Sequence, residues 1–84
     1  MLSYRINTPK DAQNLVWFCM KFNEDVNVGH RHYIIDGKSI LGVMSLIGNL
    51  VTIEVVTNDK DTEKFFEKEF VKFIEENNNY DTRR

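Results

Sequence analysis

The chain has 84 residues, 42% of them hydrophobic, and a formal charge of −2. That is the length of one small domain with a single core. The balance excludes a nucleic-acid footprint, since no basic stripe accompanies the Arg83-Arg84 pair, and no apolar run is long enough to span a bilayer. The start, MLSYRINTPKDAQ, is too polar for a secretory leader, and a single cysteine, Cys19, cannot form an internal disulfide. Both features fit a cytoplasmic protein.

Leu2, Tyr4 and Ile6 alternate with Ser3, Arg5 and Asn7, which predicts a first strand over 2–6 with one buried face. Thr8-Pro9-Lys10-Asp11 then reads as a helix start. Thr8 is the N-cap, Pro9 takes the first position, where its missing N–H costs nothing, and Asp11 answers the helix dipole. Ala12, Leu15, Val16, Cys19 and Phe22 recur at helical spacing, so this helix runs to about Lys21; Trp17, Phe18 and Met20 have no clear place on the stripe. After the polar break Asn23-Glu24-Asp25, Val26 and Val28 mark a second strand to about His30, and Tyr33-Ile34-Ile35 a third, joined as a hairpin with Gly29-His30-Arg31-His32 at its tip.

Asp36-Gly37 is a turn signal, and Ser39 stands as an N-cap before the dense apolar run Ile40-Leu41-Gly42-Val43-Met44-Ser45-Leu46. The helix is expected to reach about Ile47 and to end at Gly48-Asn49. Ile40, Val43, Met44 and Ile47 share one face, and Leu41 and Leu46 point elsewhere. A short helix apolar on more than one side is either buried all round or offers a surface to a partner. Leu50 to Val56 is the clearest strand, with Val51, Ile53 and Val55 inward. From Thr62, Phe66, Phe70, Phe73 and Ile74 form the stripe of a last helix whose other faces carry Glu and Lys. Asn77-Asn78-Asn79 is expected to stop it, leaving 77–84 as a frayed tail.

The order is βαββαβα, a single α+β domain over 1–84. Alternating strands leave one face of a sheet wet, so three helices cover the other. The expectation is a two-layer open-faced sandwich on a four-stranded, mostly antiparallel sheet.

Lys38-Ser39-Ile40-Leu41-Gly42-Val43-Met44-Ser45-Leu46 resembles the run around the regulatory serine of the HPr phosphocarrier family of the bacterial phosphoenolpyruvate-dependent sugar phosphotransferase system, with Leu41 where the family has Met. Lys21-Phe22 with Asp25-Val26-Asn27-Val28, and Val51-Thr52-Ile53, are similar to the family's flanking segments, so the resemblance spans nearly the whole chain. It implies the same fold. It also implies a phosphorylatable serine at Ser39, modified by an ATP-dependent HPr serine kinase, and a short helix that docks on a transcriptional regulator or a permease component. The family's phosphocarriers hold a histidine between strand one and helix one, in a Gly-(Ile or Leu)-His-Ala-Arg-Pro-Ala motif. Here that place reads Asn7-Thr8-Pro9-Lys10-Asp11-Ala12, with Thr8 at the ungapped position of the histidine. A threonine phosphate is a stable ester, unsuited to onward transfer. The resemblance is therefore to members of the Crh type, which lack the histidine and serve regulation, and it implies no catalytic residue and no enzyme activity.

Ser39 is accordingly the candidate regulatory phosphorylation site, and Lys38, Ile40, Leu41 and Met44 are the candidate docking residues. The competing readings are an ordinary N-cap serine over core side chains, phosphotransfer on His30 or His32, and a scaffold domain unrelated to sugar transport. Two histidines without a third ligand make no metal site, and no cofactor is expected. Gly37-Lys38-Ser39 matches the end of a P-loop, but that motif needs glycine where His32 stands. Cys19 lies on the apolar stripe as a small buried residue. The sequence leaves the oligomeric state open.

Overall fold

The computed structural model describes residues 2–77. Within them the order is β1 (Leu2–Ile6), α1 (Pro9–Cys19), β2 (Val26–His30), β3 (Tyr33–Asp36), α2 (Ile40–Met44), β4 (Asn49–Val55) and α3 (Lys60–Asn77). Residues 78–84, most of the expected tail, lie outside the described residues; Asn77 itself closes α3.

The four strands form one sheet in the order β1-β4-β2-β3, with every pairing antiparallel. Only β2 and β3 are hairpin neighbours. β1 and β2 both pair with β4, so their contacts cross over the helices rather than following chain order. The register lines up Leu2, Ile53, Val28 and Ile35 in one apolar row across the sheet. Tyr4, Ile6, Val26, Val51 and Val55 fill the same face, and the buried residues of α1, α2 and α3 join them in one cluster, which puts all three helices on that side.

The helix–sheet interface is aromatic. The Phe18 ring stacks on Phe73 at 4.8 Å and meets Phe66 at 5.5 Å; Tyr4 stacks on Phe73 at 5.4 Å; Phe22 meets Phe66 edge-on at 4.8 Å. Phe18, unplaced by periodicity, is thus in the core between α1 and α3, and Trp17 and Met20 are exposed.

Helix boundaries move for local reasons. α1 ends at Cys19, short of Lys21, because the amides of Lys21 and Phe22 bond back three residues to Phe18 and Cys19, both at 3.2 Å. The tightened turn takes Phe22 off the helix axis and toward Phe66. α3 begins at Lys60, ahead of Thr62, because Asp59 organises its start. The Asp59 carboxylate accepts from the Thr62 hydroxyl at 2.7 Å and from the Asp61 amide at 3.3 Å. The Thr62 bond, first among these contacts, holds the carboxyl of Asp59 below its usual range.

Two buried acids tie the core to alkaline pH. Burial pushes the Cys19 thiol from 9.0 up to about 12, and pushes the Tyr4 phenol, whose hydroxyl donates to the Asp11 carbonyl at 2.7 Å, above its ordinary 10.0. At neutral pH both are protonated in the folded and unfolded chains. As pH rises through the ordinary thiol and phenol values, the unfolded chain loses protons that the folded chain keeps, so stability falls with pH. Urea unfolding between about pH 8 and pH 11 should show that decline, and Cys19→Ala should remove the part that begins with the thiol and leave the tyrosine part. Phe66→Ala, which deletes a fully buried ring, should cost about 3–5 kcal/mol in the same assay.

Candidate functional site

The entry to α2 is held at each residue. The Asp36 carboxylate accepts from the Lys38 amide at 2.9 Å, and its carbonyl accepts from the Ser39 amide at 3.0 Å. Gly37 bonds to the Val26 carbonyl at 2.8 Å, and a Cβ there would lie 3.0 Å from the Cys19 sulfur, so the turn is pressed onto α1 and β2. Ser39 is extended (φ −100°, ψ 111°), and its Oγ accepts from the Gly42 amide at 3.2 Å as the N-cap. The serine is half-buried, so its hydroxyl caps the helix at the rim of the fold rather than inside it.

Lys38 has a different task from the one its neighbours share. Its ammonium donates to the Phe22 carbonyl at 2.6 Å, tying the end of α1 to the start of α2. That bond satisfies a carbonyl left open where α1 ends.

The structure corrects the expected faces of α2. The helix covers only Ile40–Met44; the Ser45 hydroxyl donates to the Gly42 carbonyl at 2.5 Å, and the amides of Leu46 and Ile47 bond back three residues, which tightens the chain before Ile47 can extend the helix. Val43 and Leu46 enter the core, whereas Ile40 and Met44, expected on the face of Val43, are exposed by 41% and 37%. Leu41 is exposed by 81%. The tightened turn explains Leu46, since a spacing of three then falls on one side. Ser39, Ile40, Leu41 and Met44 thus form one surface. One contributor to its placement escaped the sequence: Gly42 lets α2 settle on β3, where a Cβ would lie 2.6 Å from Ile35 Cγ2.

Thr8 stands at the other end of α1. Its Oγ1 accepts from the Asp11 amide at 3.1 Å, and the Asp11 carboxylate accepts from the amides of Asn7 and Thr8 at 2.9 and 3.0 Å. This is a complete capping box. The Asn7 and Thr8 amides just ahead of the helix already hold a carboxylate, whose charge repels an incoming anion. His30 closes β2, and His32 lies across Arg31, whose φ of 57° turns the hairpin. Among the described residues no group of three or more His, Cys, Asp or Glu side chains comes together to hold a metal. No helix among them is long and apolar enough to cross a membrane.

The chain matches no protein-family model, and no curated protein matches it. Solved structures do. HPr-C-His of Thermoanaerobacter tengcongensis superposes with a TM-score of 0.66 at 27% identity, over 88% of this chain and 89% of the other. Crh of Bacillus subtilis, described as a catabolite repression protein forming an intertwined, swapped dimer, superposes at 0.62 with 24% identity, over 87% and 84%. The histidine-containing phosphocarrier protein of a Mycoplasma gives 0.65 with 21% identity over 96% and 98%. The molecule is therefore an open-faced α+β sandwich of the phosphocarrier type. Within that class its fold is HPr-like.

The packing of α2 is open to direct measurement. Gly42→Ala raises helix propensity by about 1 kcal/mol, but the new Cβ collides with a β-branched side chain fixed on β3, so the net change should be a loss of about 1 kcal/mol in thermal unfolding. Ser39→Ala should cost a similar amount through the cap, and Ser39→Asp should keep the stability.

Proposed function

We propose that this chain is a regulatory, partner-binding relative of the HPr phosphocarriers, a single domain over residues 1–84 related to the bacterial sugar phosphotransferase system and working in the cytoplasm. In this reading it is not an enzyme and does not carry phosphohistidine; Ser39 is its phosphorylation site and Ile40, Leu41 and Met44 are its docking surface. The observation that carries the reading is the outward direction of those three apolar side chains, on a helix whose cap is the half-buried Ser39. Burial in the core, the ordinary fate of such a run, is taken by Val43 and Leu46 alone within the segment 40–46.

Phosphorylation of Ser39 transfers the terminal phosphoryl group of ATP to Oγ: the new Oγ–P bond forms as the bond to the bridging oxygen breaks, ADP leaves, and the hydroxyl proton passes to a base on the kinase. The product retains acceptor oxygens where the hydroxyl capped Gly42, so the helix start keeps its partner, and the added charge sits favourably at that end by roughly 0.3–1 kcal/mol. The modification then changes what the surface presents rather than how the chain folds. A protein partner reads Ile40, Leu41 and Met44 together with the phosphate; the Lys38 ammonium, held at Phe22, contributes by positioning α2.

At α1 the chemistry of a phosphohistidine finds no support. Thr8 stands at the ungapped position, engaged in the capping box, and the Asp11 carboxylate occupies the amides. Incubation with ATP and an HPr serine kinase should place one phosphate on Ser39, absent from Ser39→Ala, while phosphoenolpyruvate and enzyme I should leave no acid-labile phosphate, both read by mass spectrometry. Phosphate on His30 or His32 from phosphoenolpyruvate would overturn the reading. Leu41→Ala with Met44→Ala should weaken binding of the phosphorylated chain to the transcriptional regulator at least tenfold with little change in thermal stability.

A further inference from the structure

The face of the sheet away from the helices carries a charge pattern of its own. The register places Ser3, Thr52, Gly29 and Ile34 in a middle row across the four strands. Two residues toward one end, Asn27 lies between Glu54 on β4 and Asp36 on β3. Toward the other end, Arg5 pairs with Leu50, and Arg31 at the hairpin tip borders the same depression as Leu50. Arg31, one residue beyond the end of β2, is four residues along the chain from Asn27, so basic and acidic ends lie about 13 Å apart.

Between them the surface is hollow, with Ile34 and Leu50 among the residues that line it. Ile34 is 71% exposed, and Leu50 is also exposed. Gly29 leaves the floor bare, for a Cβ would lie 2.8 Å from Thr52 Oγ1, and the depression over it measures about 320 Å³.

We propose that this face is the contact of a reversible two-fold dimer with a second copy of the chain. A two-fold contact opposes a surface to itself, so the face must be complementary to its own image. An axis along the strands would stack the basic ends on each other. An axis across the strands, through the middle row, reverses the rows and keeps each strand over its own copy. Ile34 then meets Ile34 of the second copy, the two hollows over Gly29 close on each other, and Arg31 falls over Asn27 of the second copy, between its Glu54 and Asp36. The charge pattern selects this axis and opposes the other. Four strands span about 19 Å, a footprint of the size that gives weak, transient association. The contact lies on the opposite side from α2, so the dimer presents both Ser39 surfaces outward.

Sedimentation equilibrium of the full chain from about 10 µM to 1 mM, in low and high salt, tests the proposal. A monomer–dimer equilibrium that salt weakens is expected. Glu54→Lys and Arg31→Asp should each weaken it about tenfold, and the double variant, which reverses both signs, should restore it; Asp tolerates the backbone of position 31. Ile34→Lys should abolish the dimer, and Leu41→Lys should leave it unchanged, with circular dichroism confirming that each variant is folded. A monomer throughout the range in low salt overturns the proposal. So does a dimer that survives Ile34→Lys or is lost in Leu41→Lys, or a double variant that stays as weak as the single ones.

Discussion

The sheet has one face to cover, and the packing of α1 and α3 across their aromatic seam is what covers it. Phe18 from α1 is sandwiched among Phe66, Phe70 and Phe73 of α3, and Tyr4 brings β1 into the same stack. Rings bury more area per residue than aliphatic side chains and favour the stacked and edge-on geometries found here. With an 84-residue chain there is only one core to build, and these residues supply its bulkiest side chains. The position of everything else, α2 included, follows from that seam.

α2 is held by less. One fully buried valine, the turn residue Leu46, the close approach of Gly42 to Ile35 and the Lys38 bond to Phe22 fix a helix of five residues. A helix so short has no stability of its own. Its anchoring from one side leaves the other side apolar and exposed, which is what a docking surface requires. The same economy explains the serine. Ser39 caps the Gly42 amide, and the cap lies at the rim of the fold because the helix does.

The starts of α1 and α2 are closed differently. At α1 the Asp11 carboxylate accepts from the Asn7 and Thr8 amides and the Thr8 hydroxyl from the Asp11 amide; at α2 the cap is the Ser39 hydroxyl. This difference was half legible beforehand. Thr8, Pro9 and Asp11 spell a helix start in local sequence, and Ser39 before an apolar run does the same. That the Asp11 carboxylate reaches back to both Asn7 and Thr8 is a matter of geometry that spacing does not specify. Lys38 shows the same gap between type and role: a lysine beside a serine reads as a surface charge until the end of α1 is placed next to it.

Local patterns determined the elements. Alternation in 2–6, 26–30 and 50–55 dictates strands, and the caps at Thr8 and Ser39 and the aromatic spacing of 66–74 dictate helices, because backbone propensity, capping and burial period act between near neighbours. Those patterns and the Lys38–Leu46 run also determined the HPr-like class. Tertiary structure alone decided how the elements meet and which side of α2 is in. The strand order β1-β4-β2-β3 joins residues dozens of positions apart, Phe18 finds its place only when α3 arrives, and Val43 with Leu46, not Ile40 with Met44, turns inward because a tightened turn cuts α2 short. On the strands and on α3 the period already named the buried face; on α2 only the packing of distant segments decided which face is buried and which is exposed.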